Sequence, residues 1–201
     1  MKKTDFGKIA EEVRKQEYMV DPIFVRRWSP RALSGEEIGE KELMSLFEAA
    51  RWAPSSYNNQ SWRFIYARRS TSSWDRLFDL MGGFNQSWAK NAAALVVIIS
   101  KNTFDYNGKP ARTHSYDTGA AWENLALQAS KHGLIAHGME GFDYDKAKTE
   151  LNIPEGYTVE AMAAIGKPGK KEDLPKELQE REVPSSRKKI SEIASEGTFG
   201  W

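Results

Sequence analysis

The run AALVVIIS, Ala93 to Ser100, constrains the fold more than any other stretch, because it is continuously apolar yet far shorter than the ~20 residues of a membrane span. It fits a strand buried on both faces, which predicts a place in mid-sheet with cover above and below. Three other stretches read as strands: Trp62 to Ala67, rich in β-favouring residues, GLIAHGMEGF from Gly133 to Phe142, and Tyr157 to Ile165.

Helical patterns fill the spaces between them. Phe6, Ile9 and Val13 line one side of a charged helix over Phe6 to Tyr18, and Leu43, Leu46, Phe47 and Ala50 line another over Glu40 to Trp52, which Pro54 ends. Trp74 to Met81 reads as helix up to Gly82-Gly83, and Phe84 to Asn91 as a helical turn. Between Ser115 and His132 apolar residues occupy most of the helix circumference, which calls for burial on nearly every side. Gly119, Ala120 and Ala121 there admit a second helix at close range, which suits both a domain centre and a subunit interface.

The expected class is α+β: a central, mostly antiparallel sheet of about four to five strands covered by helices, in one domain over residues 1–201. Lys and Arg total 29 against 28 Asp and Glu, so a broad nucleic-acid or membrane-surface footprint is not expected and any anion site must be local. Cysteine is absent, which excludes disulfides and thiolate-held metals and suits the cytoplasm. The segment MKKTDFGKIAEEVRKQEY has no apolar core of the kind an export signal needs, so a cytoplasmic protein is expected. His114, His132 and His137 show no metal-ligand spacing, and no metal is expected. Neither GxGxxG nor GxxxxGK[ST] occurs, and GKPGK (Gly166 to Lys170) reads as a solvated turn, so no dinucleotide loop is present.

Four clusters carry chemistry. In RRWSPR, Pro30 keeps the chain extended, so Arg27, Ser29 and Arg31 share one side and offer a phosphate two guanidinium forks and a hydroxyl. In APSSYNNQSW, Ser55, Ser56, Asn58 and Gln60 follow Pro54 and present groups that both donate and accept, as a ring edge or a polyol requires. Asn85 and Trp88 lie three apart, an amide beside an indole. In HGMEGF, Gly138 and Gly141 bracket Met139-Glu140 and let backbone N–H groups come close to a ligand. Taken singly, each also reads as ordinary structure: a basic strand, a polar loop, an Asn cap with a core Trp, a surface Glu. His114, Ser115 and Asp117 hold the letters of a hydrolytic triad, but adjacent helical side chains diverge and the triad is rejected.

In order and spacing, RRWSPR, APSSYNNQSW, FNQ, GMEGF and PSSR resemble the nitroreductase family of FMN enzymes from Phe24 to Arg187. The resemblance implies that Arg27, Ser29 and Arg187 hold the FMN phosphate, with Trp28 beside it, and that Arg31 and Asn85 face the ribityl and pyrimidine part. Pro54, Ser55, Ser56, Asn58 and Gln60 would reach the flavin of the opposite subunit in a homodimer with sites at the interface. Met139, Glu140 and Gly141 would line the isoalloxazine, with the Gly141 N–H near N5. The implied activity is ping-pong hydride transfer, from NADH or NADPH to a nitroaromatic or quinone-type acceptor, with no dedicated acid-base side chain. A dehalogenase or enone reductase, or a flavin-binding module without turnover, is the alternative. Three departures stand out: Ser61 where the family has Pro, bulky Trp28, and Trp88, which is expected to tighten the substrate side around a small aromatic acceptor.

Overall fold

The computed structural model describes residues 6–200. Part of the segment read for an export signal therefore lies outside the described residues. The elements are α1 (Phe6–Val13), α2 (Pro22–Arg26), α3 (Glu40–Ala50), β1 (Trp62–Arg68), α4 (Trp74–Phe78), α5 (Gly83–Ala89), β2 (Ala94–Lys101), α6 (His114–Lys131), β3 (Ile135–Met139), α7 (Tyr144–Glu150), β4 (Tyr157–Gly166) and α8 (Lys176–Gln179).

The four strands form one antiparallel sheet in the order β1-β2-β4-β3. The AALVVIIS run is the inner strand β2, as its composition predicts. Its alternate side chains feed two cores: Leu95, Val97 and Ile99 meet Leu77, Leu80 and Trp88 on one face, while Val96 and Ile98 meet Leu43, Leu46, Ala121 and Leu125 on the other. Helices α3 and α6 thus cover one face of the sheet. The register slips once, since Ile98 lies opposite Ala161 and Ile99 opposite Val159, which leaves Glu160 as the extra residue of a β-bulge.

Some boundaries differ from the expected ones for visible reasons. Helix α1 ends at Val13 rather than Tyr18, and Arg14 just beyond it donates through Nη1 to the carbonyls of Val25 and Arg27, both at 2.7 Å. Pro22 at the first turn and the Asp21 side chain, which accepts the Ile23 N–H at 2.9 Å, start the unforeseen α2. Asp143 caps the equally unforeseen α7 through the Lys146 N–H. Strand β3 is shorter than GLIAHGMEGF: Gly133, at φ +70, closes α6, and the Gly141 carbonyl bonds to Asn85 instead of continuing the ladder.

Helix α6 meets its all-round burial only in part. Asp117, Thr118, Ala121, Leu125, Ala126 and Ala129 are buried, whereas Tyr116 and Gly119 are exposed and Trp122 and Leu127 half-buried.

Candidate functional site

Arginines gather where α1, α2 and the C-terminal segment meet. Arg14 donates through Nε to the Ser185 carbonyl at 3.0 Å, which draws the PSSR segment onto α1, while its Nη1 bonds to the end of α2. Burial, then the nearby charges of Arg187 and Arg27, lower the Arg14 pKa to about 10. Through these bonds Arg27 and Arg187, 160 positions apart in sequence, are brought to the one residue Arg14, which bonds to the carbonyls of Arg27 and of Ser185, itself the partner of Arg187. Arg27 Nη1 reaches Ser29 Oγ at 3.5 Å, and its Nε stands 3.3 Å from Glu123 Oε1 on α6 without making a hydrogen bond. The buried Nε of Arg31 has no hydrogen-bond partner among the described residues. Three guanidiniums beside the half-exposed Glu123 carboxylate, with buried N–H groups unmatched, fit a compact dianion such as a phosphate.

Two residues that the sequence did not flag hold this segment in shape. Glu182 is buried, and its Oε1 accepts the N–H groups of Arg31 and Ala32 at 2.7 and 2.8 Å. On the far side His137 of β3 donates Nδ1–H to the Pro30 carbonyl at 3.0 Å and packs on Trp88, ring centroids 4.5 Å apart. No local pattern marks Arg14 or Glu182, since their partners lie far along the chain.

Trp28 is not beside the anion cradle in the sense expected. Its indole N–H donates to the Phe6 carbonyl at 2.9 Å and its ring packs on Phe6, so the side chain braces α1. Trp88 needs a similar correction. It is only 1% exposed, inside the core, with its N–H directed to Asn85 Oδ1 at 3.3 Å, and so it cannot line an open substrate face. It supports Asn85 from below.

Asn85 in turn donates Nδ2–H to the Gly141 carbonyl at 2.9 Å. A Cβ on Gly141 would come within 2.9 Å of that same nitrogen, so only glycine permits the approach. Met139 is buried under the end of β3, while Glu140 and Gly141 are exposed. On the α6 side, Gly138 lies under Trp122, where an added Cβ would meet Cζ2 at 3.1 Å. A Cβ on Gly119, one turn toward the start of α6, would meet nothing within 4 Å. Gly119 therefore leaves open space on the face of α6 beside Trp122.

The loop from Pro54 to Gln60 is built on backbone strain. Tyr57, Asn58 and Gln60 all have φ between 51 and 53°, a region unfavourable for residues with a Cβ. Asn59 holds them there. Its buried amide donates to Ser61 Oγ at 2.9 Å and the Thr103 carbonyl at 3.2 Å, and accepts the Asp105 N–H at 2.9 Å. Ser61, one of the departures, is therefore a partner of Asn59. Asp117 of α6 accepts the Ser56 N–H at 3.0 Å, and Ser55 Oγ the Gln60 N–H at 3.1 Å. Pro54, Asn58 and Gln60 are left exposed, with Ser55 and Ser56 half-buried.

A four-stranded antiparallel sheet between helices, an arginine-rich cradle at one edge and a glycine strand end define a class already suggested by the motifs. The Nitroreductase family profile matches residues 25–85 and 76–167, and the chain belongs to the nitroreductase family. A crystal structure described as an oxidoreductase containing FMN superposes with a TM-score of 0.90 at 45% identity, over 93% of this chain and 96% of its own. An uncharacterized protein of Mycolicibacterium smegmatis is 30% identical over 146 residues, 69% of this chain and 97% of its own. An Archaeoglobus fulgidus protein with the provisional name NADH dehydrogenase/NAD(P)H nitroreductase is 29% identical over 158 residues, 76% of this chain and 86% of its own.

Proposed function

We propose that this chain is a single-domain, homodimeric, cytoplasmic FMN-dependent oxidoreductase that takes hydride from NADH or NADPH and reduces nitroaromatic or quinone-type acceptors in ping-pong fashion. The observation that carries the reading is the arginine cluster, in which Arg14 donates to the carbonyls of Arg27 and Ser185 while Arg187 donates to the Ser185 hydroxyl, so that three like charges are gathered. Such an arrangement is costly without an anion and suits the FMN phosphate. The family's FMN-containing structural relative supports the same assignment.

The bound flavin would supply the hydride chemistry, and the chain supplies position and charge. Arg27, Arg187 and the unforeseen Arg14 hold the phosphate with Ser29, and the buried Arg31 Nε faces the ribityl and pyrimidine part. Asn85 fixes the end of β3 through Gly141, whose N–H is directed to the ring edge. Pro54, Ser55, Ser56, Asn58 and Gln60 serve the neighbouring subunit's cofactor.

The homodimer is supported by what one chain leaves uncovered. Alongside the bare side of α6, Ile23, Ala49, Trp52, Asn124 and Leu127 line a recess of about 310 Å³, and Trp52 is 72% exposed. A second α6 laid across Gly119 and Ala120 would cover this face. No helix among the described residues is long and apolar enough to cross a membrane.

The test is to purify the protein and release the chromophore by denaturation. A yellow dimer that yields FMN, bleached by NAD(P)H and recoloured by an acceptor, is expected. Arg27→Ala with Arg187→Ala should weaken FMN binding at least ~100-fold, the worth of two charge-assisted hydrogen bonds. A colourless protein that refuses FMN would sink the proposal.

A further inference from the structure

The loop that leads into β1 and the loop that leaves β2 meet at one end of the sheet, and between them they carry three aromatic rings in mutual contact. The ring of Tyr57 lies 5.7 Å from that of Phe104 and 5.8 Å from that of Tyr106, and the last two are 5.5 Å apart, centroid to centroid. Rings that pack together normally do so in a core, yet Tyr57 is 79% and Tyr106 64% exposed. The platform is held firmly. Asn59 ties the two loops together through the Thr103 carbonyl and the Asp105 N–H, and the second loop closes on itself where the Phe104 and Ala111 N–H groups meet the Lys109 and Asn102 carbonyls, both at 2.8 Å. Tyr57 keeps its place despite a φ of 51°, where a bulky side chain is an outlier.

A recess of about 380 Å³ opens against Tyr57 and Tyr106, and the rest of its wall includes Asn58, Gln60, Arg63 and Asp105. That volume lies within the range of small-ligand sites. Asp105 is bonded to Lys101, and Arg63 forms no ion pair among the described residues. Arg63 Nη1 donates to the carbonyls of Gln60 at 2.9 Å and Trp62 at 2.7 Å, which anchors the guanidinium while its Nε and Nη2 make no hydrogen bond among the described residues. Stacking faces, amides that both donate and accept, and one anchored cation suit a ligand that joins a flat heteroaromatic ring to a negative charge. A neutral quinone or nitroaromatic has no charge for Arg63 to meet. NADH and NADPH have both parts, since a pyrophosphate and an adenine lie beyond the nicotinamide that delivers hydride.

We propose that this recess binds the adenosine diphosphate half of the nicotinamide reductant, with the adenine stacked on Tyr57 and Tyr106 and the pyrophosphate on Arg63, a role that rests on the FMN reading above. Asn58 and Gln60 belong both to the recess and to the loop assigned to the neighbouring subunit's cofactor. The recess therefore borders that site, where the remote half of a long reductant belongs and a small acceptor does not reach. Binding energy from this half would hold the nicotinamide in place without taking part in hydride transfer. The acceptor, which follows after the oxidised nucleotide has left, would find the ring uncovered and make no use of the platform.

The test compares NADH with reduced nicotinamide mononucleotide, which carries the same hydride donor and lacks the adenosine half, as reductants of the FMN-loaded protein with p-benzoquinone as acceptor. The variant is Tyr57→Asn with Tyr106→Ser, since asparagine tolerates the positive φ at position 57. Wild type should favour NADH in kcat/KM, and the variant should lose about tenfold of that preference, the scale of one lost stacking platform, through the KM for NADH. Arg63→Gln should lose about tenfold as well, the scale of a charge-assisted hydrogen bond. Titration calorimetry with ADP-ribose should show wild-type binding that weakens about tenfold in either variant. No preference for NADH in the wild type, an equal fall with both reductants, a rise confined to the KM for quinone, or ADP-ribose binding indifferent to the substitutions would overturn the proposal. If the tyrosine variant fails to fold, Arg63→Gln must show the same loss of preference, or the proposal fails. A wild type that binds no FMN defeats the functional reading itself and leaves the ADP-ribose titration to decide the recess, whereas one that turns over while failing these comparisons defeats only the role of the recess.

Discussion

His137 offers a sharp check on how the anion cradle is held. It is buried against Trp88, and its pKa is lowered from the ordinary 6.5 to about 4. Burial is the chief cause, opposed by the hydrogen bond to the Pro30 carbonyl, reinforced by the Arg31 charge and opposed again by the Ser29 carbonyl. The imidazole is thus neutral in the fold at pH 7. Above pH 6.5 folded and unfolded chains both carry it neutral, and its contribution to stability is constant. Between pH 6.5 and about 4 only the unfolded chain takes up the proton, so stability falls as pH falls, by ~1.4 kcal/mol per unit and about 3 kcal/mol in all. The perturbation to make is His137→Asn, whose amide can still donate to Pro30 but does not titrate. Urea unfolding followed from pH 7.5 to 4 should show the variant weaker by roughly 1–2 kcal/mol at neutral pH from lost packing. The wild-type advantage should then shrink and reverse as the pH approaches 4. Curves that stay parallel for the two proteins would refute a neutral, buried His137.

Three further outcomes follow from the same geometry. Asn59→Ala removes three hydrogen bonds from a buried site and should cost roughly 2–3 kcal/mol in chemical unfolding; a change below ~1 kcal/mol would mean that the loop holds its own shape. Gln60→Gly relieves a positive φ and should raise apo-protein stability by about 1 kcal/mol while weakening FMN retention, and a loss of stability would contradict the strain argument. Gly141→Ala pushes against Asn85 and should reduce FMN retention severalfold with the melting temperature of the apo-protein little changed; full retention would show that the Asn85 contact is dispensable.

Much of the fold was legible because β2, β4, α3 and α6 each carry one unbroken pattern: a short apolar run or a helical stripe. What escaped was set by single polar contacts. Helix α2 depends on Asp21 and Pro22, α7 on Asp143, and the end of α1 coincides with Arg14 turning to α2. The site divided in the same way. Arg27, Ser29 and Arg31 cluster in sequence and stand out as a motif, whereas Arg14 and Glu182 reach that segment only through the fold. Trp88 was misread because an indole three residues from an amide is equally compatible with a cover over a ligand and a prop beneath the amide. Only burial decides between them. Ser100 shows the reverse, since it merely closes the apolar run in sequence and is the buried centre of a polar network in the fold.

Whether one chain can complete its own site turns on α6. The loop from Pro54 to Gln60 is tied to α6 at Asp117, and the arginine cradle approaches it at Glu123. Six residues of helix advance about 9 Å and turn about 600°, so the two attachments point roughly 120° apart around the axis. A ligand held by the cradle would have to pass around α6 to meet the loop of its own chain. A second α6 packed on the bare face would bring the loop of one subunit toward the cradle of the other. The prediction is a complementation between two damaged chains, one carrying Asn58→Ala and the other Arg27→Ala with Arg187→Ala. With shared sites, a mixed dimer contains one site built wholly from undamaged parts and one damaged on both sides, so about half of wild-type FMN content and activity should return. With sites confined to single chains, every site in the mixed dimer carries a lesion, and mixing restores nothing.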